Sequence, residues 1–326
     1  MSGDGEFGYI ARRLAPLAAD FEGAFGLTDD AAEIAPSEGC ALILTADTLV
    51  AGRHFLENED PATAARKALR ANLSDLAAMG ARPLAYLTSV VWPLDAADAL
   101  KEGFADGLAV DQAIFGIHLI GGDTTAADGP WMIGVTAIGE VPKGRAVRRS
   151  GARPGDLLMV TGTVGDAGLG LEIASGRLEA GEGADVLLAR HRLPEPRVAL
   201  AEAVQAHAAA CIDVSDGLIA DAGHVAEASG LGLRVDLETL PLSAPARAWL
   251  AQQGDPAQAA VFLATAGDDY ELACAVPEDR AEAFAAACAE AGTSATAVGR
   301  FGEDEGVTVH HHGSPVRIEQ AGFTHF

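Results

Sequence analysis

Apolar and polar positions follow two different periods along the chain, so helices and strands are predicted to alternate. One predicted helix has Asp60 as its N-cap and Pro61 in its first turn, and Gly80 ends it. Strands are predicted where apolar residues run together or alternate with polar ones. In the first half, the predicted helices are 5–19, 61–79 and 96–115, and the predicted strands are 40–45, 84–91, 116–120 and 131–138.

A second compact unit is predicted to follow, because residues 156–160 open another strand and the same mixture continues. Between the halves, residues 141–155 are rich in proline, glycine and arginine, as is typical of a loop between domains. The length of 326 residues suits two domains. We therefore predict an α/β (α+β) protein with mixed sheets and with domains at 1–148 and 149–326.

Composition narrows the classes of partner. Lys+Arg is 22 and Asp+Glu is 47, giving a net charge of −25, which disfavours nucleic acid and anionic membranes. No apolar run is long enough to cross a membrane, and the acidic start Met1–Phe7 does not resemble a signal peptide. The four cysteines have no metal-ligand or redox spacing. The sequence therefore predicts a cytoplasmic protein with buried free thiols.

Candidate chemistry lies in acidic corners, where strand-like apolar runs are predicted to end in aspartate beside glycine or a hydroxyl residue. Carboxylates placed at strand ends beside glycine suit hard divalent ions such as Mg²⁺, and open α/β sheets bind ligands there. The five corners are 29–30, 42–47, 119–125, 211–217 and 266–269.

Any one of these corners is explained more simply as a turn, because Asp and Gly are common turn formers. Five of them on so acidic a protein favour a metal cluster, since neighbouring carboxylates repel one another unless cations neutralise them. Asp75, on a predicted helix, and His54, after the second corner, are further candidates. Their alternatives are a solvated helix acid and a structural histidine.

Several phosphate-binding signatures are missing. The three lysines at 67, 101 and 143 form no P-loop, and neither a protein-kinase motif set nor a dinucleotide-binding glycine fingerprint occurs. Arginines at 145, 148, 149 and 153, or backbone amides of Thr161–Gly168, could hold phosphate instead. A solvated linker and a helix-start turn explain these two segments equally well.

Eight segments in order resemble those of the thiamine-monophosphate kinases, a family of the aminoimidazole-ribonucleotide-synthetase-like superfamily. They include Asn72-Leu73-Ser74-Asp75 and Asp213-Val214-Ser215-Asp216-Gly217. The resemblance runs from Gly5 to the end of the chain. The segments are 5–7, 29–32, 45–55, 72–81, 119–125, 149–152, 212–218 and 267–272.

This resemblance implies a two-domain synthetase-like fold, a homodimer formed through the N-terminal sheets, and ATP with several Mg²⁺ ions in a cleft closed by the C-terminal domain. It implies metal ligands at Asp30, Thr45, Ala46, Asp47, Asp75, Asp123, Asp213 and Asp216. It implies nucleotide contacts from Gly122, Asp123, Arg149 and Ser215, and contacts to thiamine phosphate from His54, Asp268 and Phe323.

Three positions depart from the usual pattern of the family. Thr28 precedes Asp29-Asp30 where glycine is usual, Ala46 replaces a hydroxyl residue and could bind metal only through its carbonyl, and Asp268 stands in place of glutamate. The implied reaction is transfer of the ATP γ-phosphoryl group to thiamine monophosphate. No general base is assigned, because the acceptor is itself a phosphate. A nucleotide-binding protein without activity and a purely structural dimer are the alternatives.

Overall fold

The computed structural model describes residues 5–323 and divides into two compact units. Residues 1–4 and 324–326 lie outside the described part. The first unit contains residues up to Leu76 together with Ala81–Gly144, and the second contains Ala77–Gly80 together with the chain from Arg145 onward. In the described part of the chain, no helix is long and apolar enough to cross a membrane.

The first unit is a four-stranded sheet with two long helices, preceded by short helical turns. The sheet order is β1-β4-β2-β3, in which β2 and β3 are parallel and the other neighbours antiparallel. The elements are α1 (Gly5–Tyr9), a π-helix (Ile10–Leu14), 3₁₀ helices (Ala15–Ala18 and Glu22–Leu27), β1 (Cys40–Val50), α2 (Pro61–Ala78), β2 (Arg82–Pro93), α3 (Asp98–Phe115), β3 (His118–Ala127) and β4 (Met132–Pro142).

Helix α2 forms as its sequence predicts. The Asp60 carboxylate accepts the backbone N–H of Thr63 at 2.9 Å, which satisfies a donor of the first turn. Pro61 lacks an N–H and therefore loses no bond at this end. Beyond the helix, Gly80 takes a φ of +68°, a conformation that favours glycine.

The acidic corners differ from the prediction in their position on the strands. Asp47 and Asp123 lie inside β1 and β3, because both strands keep their backbone pairing for several residues beyond them. Corner 266–269 follows a helix that ends at Thr265, and only Asp213 is the last residue of a strand. An aspartate at a sheet edge or on an open face does not interrupt backbone pairing, so polarity alone misplaces a strand end.

The second unit is a seven-stranded mixed sheet of order β11-β10-β7-β9-β5-β8-β6 with helices around it. Its core includes Val160, Leu169, Val214, Leu218 and Ala273. Its strands are β5 (Leu157–Thr161), β6 (Ala210–Asp213), β7 (Gly232–Asp236), β8 (Leu272–Val276), β9 (Ala295–Gly302), β10 (Gly306–His311) and β11 (Ser314–Pro315). Its helices are α4 (Asp166–Ala174), α5 (Ala184–Arg192), α6 (Ala201–His207), α7 (Leu218–Ser229), α8 (Ala244–Leu250), α9 (Pro256–Thr265) and α10 (Ala281–Glu290), with 3₁₀ turns at Val198–Leu200, Leu237–Thr239 and Glu278–Arg280.

Close packing of α3 against α2 depends on Gly107. A Cβ atom there would lie 2.3 Å from the Ala62 carbonyl oxygen. Gly107→Ala should therefore lower the free energy of unfolding by about 1 to 3 kcal/mol through overpacking, although alanine is the better helix former by about 1 kcal/mol. Urea unfolding measures the change. Gly254→Ala, where a Cβ meets nothing within 4 Å, is the control, and equal stability of the two variants would contradict the packing argument.

Candidate functional site

Three of the predicted site residues meet between β1 and α2. The Thr45 hydroxyl donates to the Asp75 carboxylate, and the Asp47 backbone N–H donates to Asn72 Oδ1 at 3.2 Å. Asn72 is fully buried and donates its own amide to the Ala68 carbonyl at 3.0 Å. Because Asn72 and Asp75 are three residues apart on α2, both face the strand. Asn72 was not predicted as a site residue. The signal that could have identified it is a polar amide within the apolar stretch of the helix.

His54 lies in the turn that follows β1. The Val50 backbone N–H donates to His54 Nδ1 at 3.0 Å, and buried Lys67 donates to the His54 carbonyl at 3.0 Å. Since Nδ1 accepts a hydrogen bond, the neutral ring carries its proton on Nε2. His54 can therefore offer an N–H to an anion such as a phosphate. Lys67, which forms no P-loop, instead fixes this turn.

A cavity of about 590 Å³ in the first unit brings together Asp30, Gly122 and Asp123. Its wall combines apolar side chains such as Leu87 and Ile120 with polar groups, as small-molecule sites usually do. Position 122 must be glycine here, since its φ is +152° and a Cβ would lie 2.1 Å from the Thr88 carbonyl oxygen. The glycine therefore permits β2 and β3 to approach closely at this wall of the cavity.

The two groups of acidic residues in this unit are separate. Strand pairing places Asp47 and Gly122 in one row of the sheet and Asp123 in the next, so the Asp47 and Asp123 side chains leave opposite faces. Three strand spacings between β1 and β3 amount to about 14 Å. Asp30 and Asp123 therefore form one group, and Thr45, Asp47 and Asp75 form another.

The donors fit Mg²⁺ in their chemistry, since all are carboxylate or hydroxyl oxygens, as Mg²⁺ prefers. Ala46, on the exposed part of β1, offers only its backbone carbonyl. Within residues 5–323, no three His, Cys, Asp or Glu side chains form a group that could hold a metal ion. Mg²⁺ commonly takes one or two protein carboxylates and completes its shell with water and substrate phosphate.

In the second unit, the predicted residues Ser215 and Asp216 lie in a loop just after β6, whose last residue is Asp213. One oxygen of Asp221 accepts the backbone N–H groups of Ser215, Asp216 and Gly217 at 3.0, 3.0 and 3.1 Å. Burial raises the pKa of Asp221 to about 7, against the effect of these bonds. Asp221 was not predicted, although an acidic residue in the first turn of a helix that follows glycine is a recognisable signal.

Asp268 and Phe323, the other two residues predicted to bind thiamine phosphate, are hydrogen-bonded to this loop. Asp268 donates its backbone N–H to the Ser215 carbonyl at 2.8 Å, and Phe323 donates its own to the Asp216 carbonyl at 2.9 Å. Asp216 and Phe323 also line a cavity of about 710 Å³. The Asp268 carboxylate lies 3.5 Å from Nδ1 of buried His191. Ser215, Asp216, Asp268 and Phe323 therefore form one group.

Arg149 is exposed in the loop before β5. The carbonyl of its neighbour Arg148 accepts the Cys211 backbone N–H at 3.0 Å, which holds this loop beside β6. Arg145 donates to the Gln205 carbonyl at 3.0 Å. A role of Arg149 toward nucleotide stays a prediction.

The proposed amide cradle at Thr161–Gly168 is wrong. Its amides at Gly165 and Ala167 already donate to the Asp269 carboxylate, at 2.6 and 3.1 Å. Asp269 is itself fully buried, as is Glu271, which binds Arg190 at 2.7 Å. The segment is instead the turn that starts α4, the alternative that the sequence left open.

Burial is also the main reason why the pKa of Asp269 rises to about 8, from an ordinary value of 3.8. The folded protein therefore binds a proton that the unfolded chain releases, and the stability that this proton contributes is fully present below about pH 4 and lost as the pH rises to about 8. Asp269→Asn cannot titrate and should show a smaller fall of the urea midpoint between pH 5 and pH 8. Equal slopes for the variant and the parent protein would contradict this linkage.

Comparison with known proteins gives full-length matches. Residues 28–141 match the AIR synthase related protein, N-terminal domain, and residues 153–312 match the C-terminal domain of the same description. A thiamine-monophosphate kinase of Caulobacter vibrioides is 48% identical over 320 residues, covering 98% of this chain and 90% of that protein.

Two solved structures are similar in fold and sequence. The thiamine-monophosphate kinase of Stenotrophomonas maltophilia has a TM-score of 0.83 and 36% identity, covering 94% of this chain and 97% of that one. AaThiL in complex with AMPPCP and TMP has a TM-score of 0.78 and 32% identity, covering 93% and 97%.

Proposed function

The chain belongs to the thiamine-monophosphate kinase family of AIR synthase related proteins, and we propose that it transfers the γ-phosphoryl group of ATP to thiamine monophosphate, giving thiamine diphosphate and ADP. The full-length similarity to these kinases carries the proposal. The complex of AaThiL with AMPPCP and TMP supports the choice of both substrates. ATP is the phosphoryl donor, and we propose Mg²⁺ as the metal.

In the first unit we assign nucleotide and metal binding. Gly122, which lines the cavity, would approach the nucleotide, while Asp30 and Asp123 would bind metal beside the same cavity. Thr45, Asp47 and Asp75 would hold a second metal position, with Ala46 contributing its carbonyl. Bound Mg²⁺ would neutralise charge on the phosphates. His54 would donate from Nε2 to the acceptor phosphate.

In the second unit we assign Asp213 and Asp216 to metal, Ser215 and Arg149 to nucleotide, and Asp268 and Phe323 to thiamine phosphate. Asp268 would supply a carboxylate to the thiamine cation, held in place by the backbone bond to Ser215. Phe323, which is 39% exposed, would supply an aromatic face.

These side chains position the reactants and need no general base. The acceptor phosphate has a second pKa of about 6 and is largely ionised at pH 7. The barrier is chiefly the approach of two anions in line, which positioning and charge neutralisation lower. We therefore assign no residue to proton abstraction.

The test incubates the purified full chain with ATP, MgCl₂ and thiamine monophosphate, and detects thiamine diphosphate by fluorescence after oxidation to the thiochrome form. Free thiamine as acceptor and an EDTA-treated sample are the controls. We expect thiamine diphosphate when thiamine monophosphate is the acceptor, and no such product with free thiamine or after EDTA treatment. Release of ADP without thiamine diphosphate would overturn the acceptor, and the absence of any turnover would favour a nucleotide-binding protein without activity.

Asp47→Asn tests the metal assignment on β1. The amide keeps the size of the side chain but removes its charge, so turnover should fall by about a hundredfold or more, while circular dichroism and the thermal midpoint stay close to those of the parent. Asp128→Asn, in the exposed bend between β3 and β4, is the matched control. A near-native rate for Asp47→Asn would refute the assignment.

We also propose a homodimer formed through the first sheet. Leu44 on β1 is 62% exposed although it lies within a paired strand, and Ala46 and Thr48 continue the same open face. An apolar strand face of this kind is typical of a surface that another sheet covers.

We also propose a cytoplasmic location.

Leu44→Asp should therefore shift the protein toward monomer, because a charge would be buried at the interface. Light scattering after size-exclusion chromatography measures the mass. Leu94→Asp is the control, since Leu94 is 65% exposed in the loop after β2. If both variants keep the mass of the parent, this face is not the interface.

A further inference from the structure

We propose that Asp221 is a positioning residue, which holds the loop Val214–Gly217 in the conformation that lets Ser215 and Asp216 bind the metal-bound nucleotide and that anchors Asp268 and Phe323 to the same loop. The inference rests on the proposed function, because the roles of Ser215 and Asp216 do. Asp221 itself is 3% exposed and is not assigned to any substrate or metal.

Three of the four backbone donors of the loop share one side-chain acceptor, and the fourth, the Val214 N–H, donates to the Glu271 carbonyl at 2.8 Å. The N–H groups of three consecutive residues, 215 to 217, converge on the same Oδ2 atom of Asp221. The Asp221 backbone N–H donates to the Gly217 carbonyl at 3.0 Å, so loop and first helical turn are bonded in both directions. A carboxylate that accepts several amides fixes their orientation strongly.

The carbonyl groups of the same loop bind the segments that carry Asp268 and Phe323, the residues proposed to bind thiamine phosphate. The carbonyls of Val214 and Ser215 accept the backbone N–H groups of Tyr270 and Asp268, each at 2.8 Å, and the Asp216 carbonyl accepts that of Phe323 at 2.9 Å. The N–H groups of residues 215–217 therefore donate to Asp221, and the carbonyls of residues 214–216 accept from the segments that carry the thiamine-binding candidates. A shift of the loop would move both sets together.

Neighbouring backbone leaves the loop few other positions. Gly217 has a φ of +120°, and a Cβ there would lie 2.5 Å from the Thr265 carbonyl oxygen. Gly267 is equally close, with its Cβ position 2.4 Å from the Ser215 carbonyl oxygen. Asp221 thus closes a tightly packed corner, and removing its carboxylate would take away the acceptor of three amides.

The experiment compares Asp221→Ala and Asp221→Asn in the full chain. Alanine removes the acceptor, whereas asparagine keeps one oxygen that can accept the same amides more weakly. Asp156→Asn is the matched control, because Asp156 is a buried carboxylate in the same unit that accepts the Arg153 backbone N–H at 2.8 Å. The readouts are hydrogen exchange of the peptide spanning 213–218, Mg²⁺-dependent binding of a non-hydrolysable ATP analogue, and KM for both substrates.

We expect faster exchange at residues 215–217 and weaker analogue binding by about ten- to hundredfold in Asp221→Ala, with a smaller change in Asp221→Asn and none in the control. KM should rise for ATP and for thiamine monophosphate together. A purely structural role would lower the thermal midpoint but leave KM and analogue affinity of the folded fraction unchanged. If the alanine variant does not fold, the same measurements on the asparagine variant test the positioning role.

The proposal is overturned if folded Asp221 variants bind the analogue within twofold of the parent protein and show unchanged exchange at 215–217. Failure of the proposed reaction is seen separately, because analogue binding and exchange require no turnover. A parent protein that binds the analogue but makes no thiamine diphosphate would refute the kinase assignment while leaving the effect of Asp221 measurable.

Discussion

Buried acidic side chains that accept backbone N–H groups hold several irregular segments of this protein. Asp221 binds three amides of the loop after β6, and Asp269 binds two at the start of α4. In the first unit, Glu140 accepts the Ser37 backbone N–H at 2.9 Å, and that bond is the largest cause that lowers the pKa of Glu140. An amide without such an acceptor would lose its bond with water and gain nothing. The loop that carries Ser215 and Asp216 therefore depends on an acid that is not itself assigned as a ligand.

The acidic residues consequently fall into two different classes. Some acids are paired inside the protein, such as Asp111, which is fully buried and binds Arg66 at 2.8 Å and Arg70 at 2.7 Å between α2 and α3. Glu271 is paired in the same way with Arg190. Others, such as Asp47 and Asp123, are exposed. Net charge alone cannot separate these classes, because it does not record which carboxylates have lost their water.

Local signals predicted the elements well where one residue decides the backbone. The start of α2 at Pro61 and the turn at Gly80 follow from capping and from glycine's freedom at positive φ. Strand ends were predicted less well, since the length of β1 depends on its pairing with β4, a partner that lies far away in sequence. The same reason explains the separation of Asp47 from Asp123, which follows from strand order. The amides of Gly165 and Ala167 were misjudged because their acceptor, Asp269, is about a hundred residues away.

The backbone at Asp268 has a consequence for how this position can vary. Its φ is +68°, in the left-handed region, which aspartate and asparagine enter more readily than other residues with a Cβ. The residue type at 268 is therefore restricted by the backbone conformation of the turn as well as by contact with the ligand. Lengthening it to glutamate would extend its reach at the expense of backbone strain. Aspartate at 268 therefore enters this turn more readily than the usual glutamate would, but its carboxylate reaches one methylene less far.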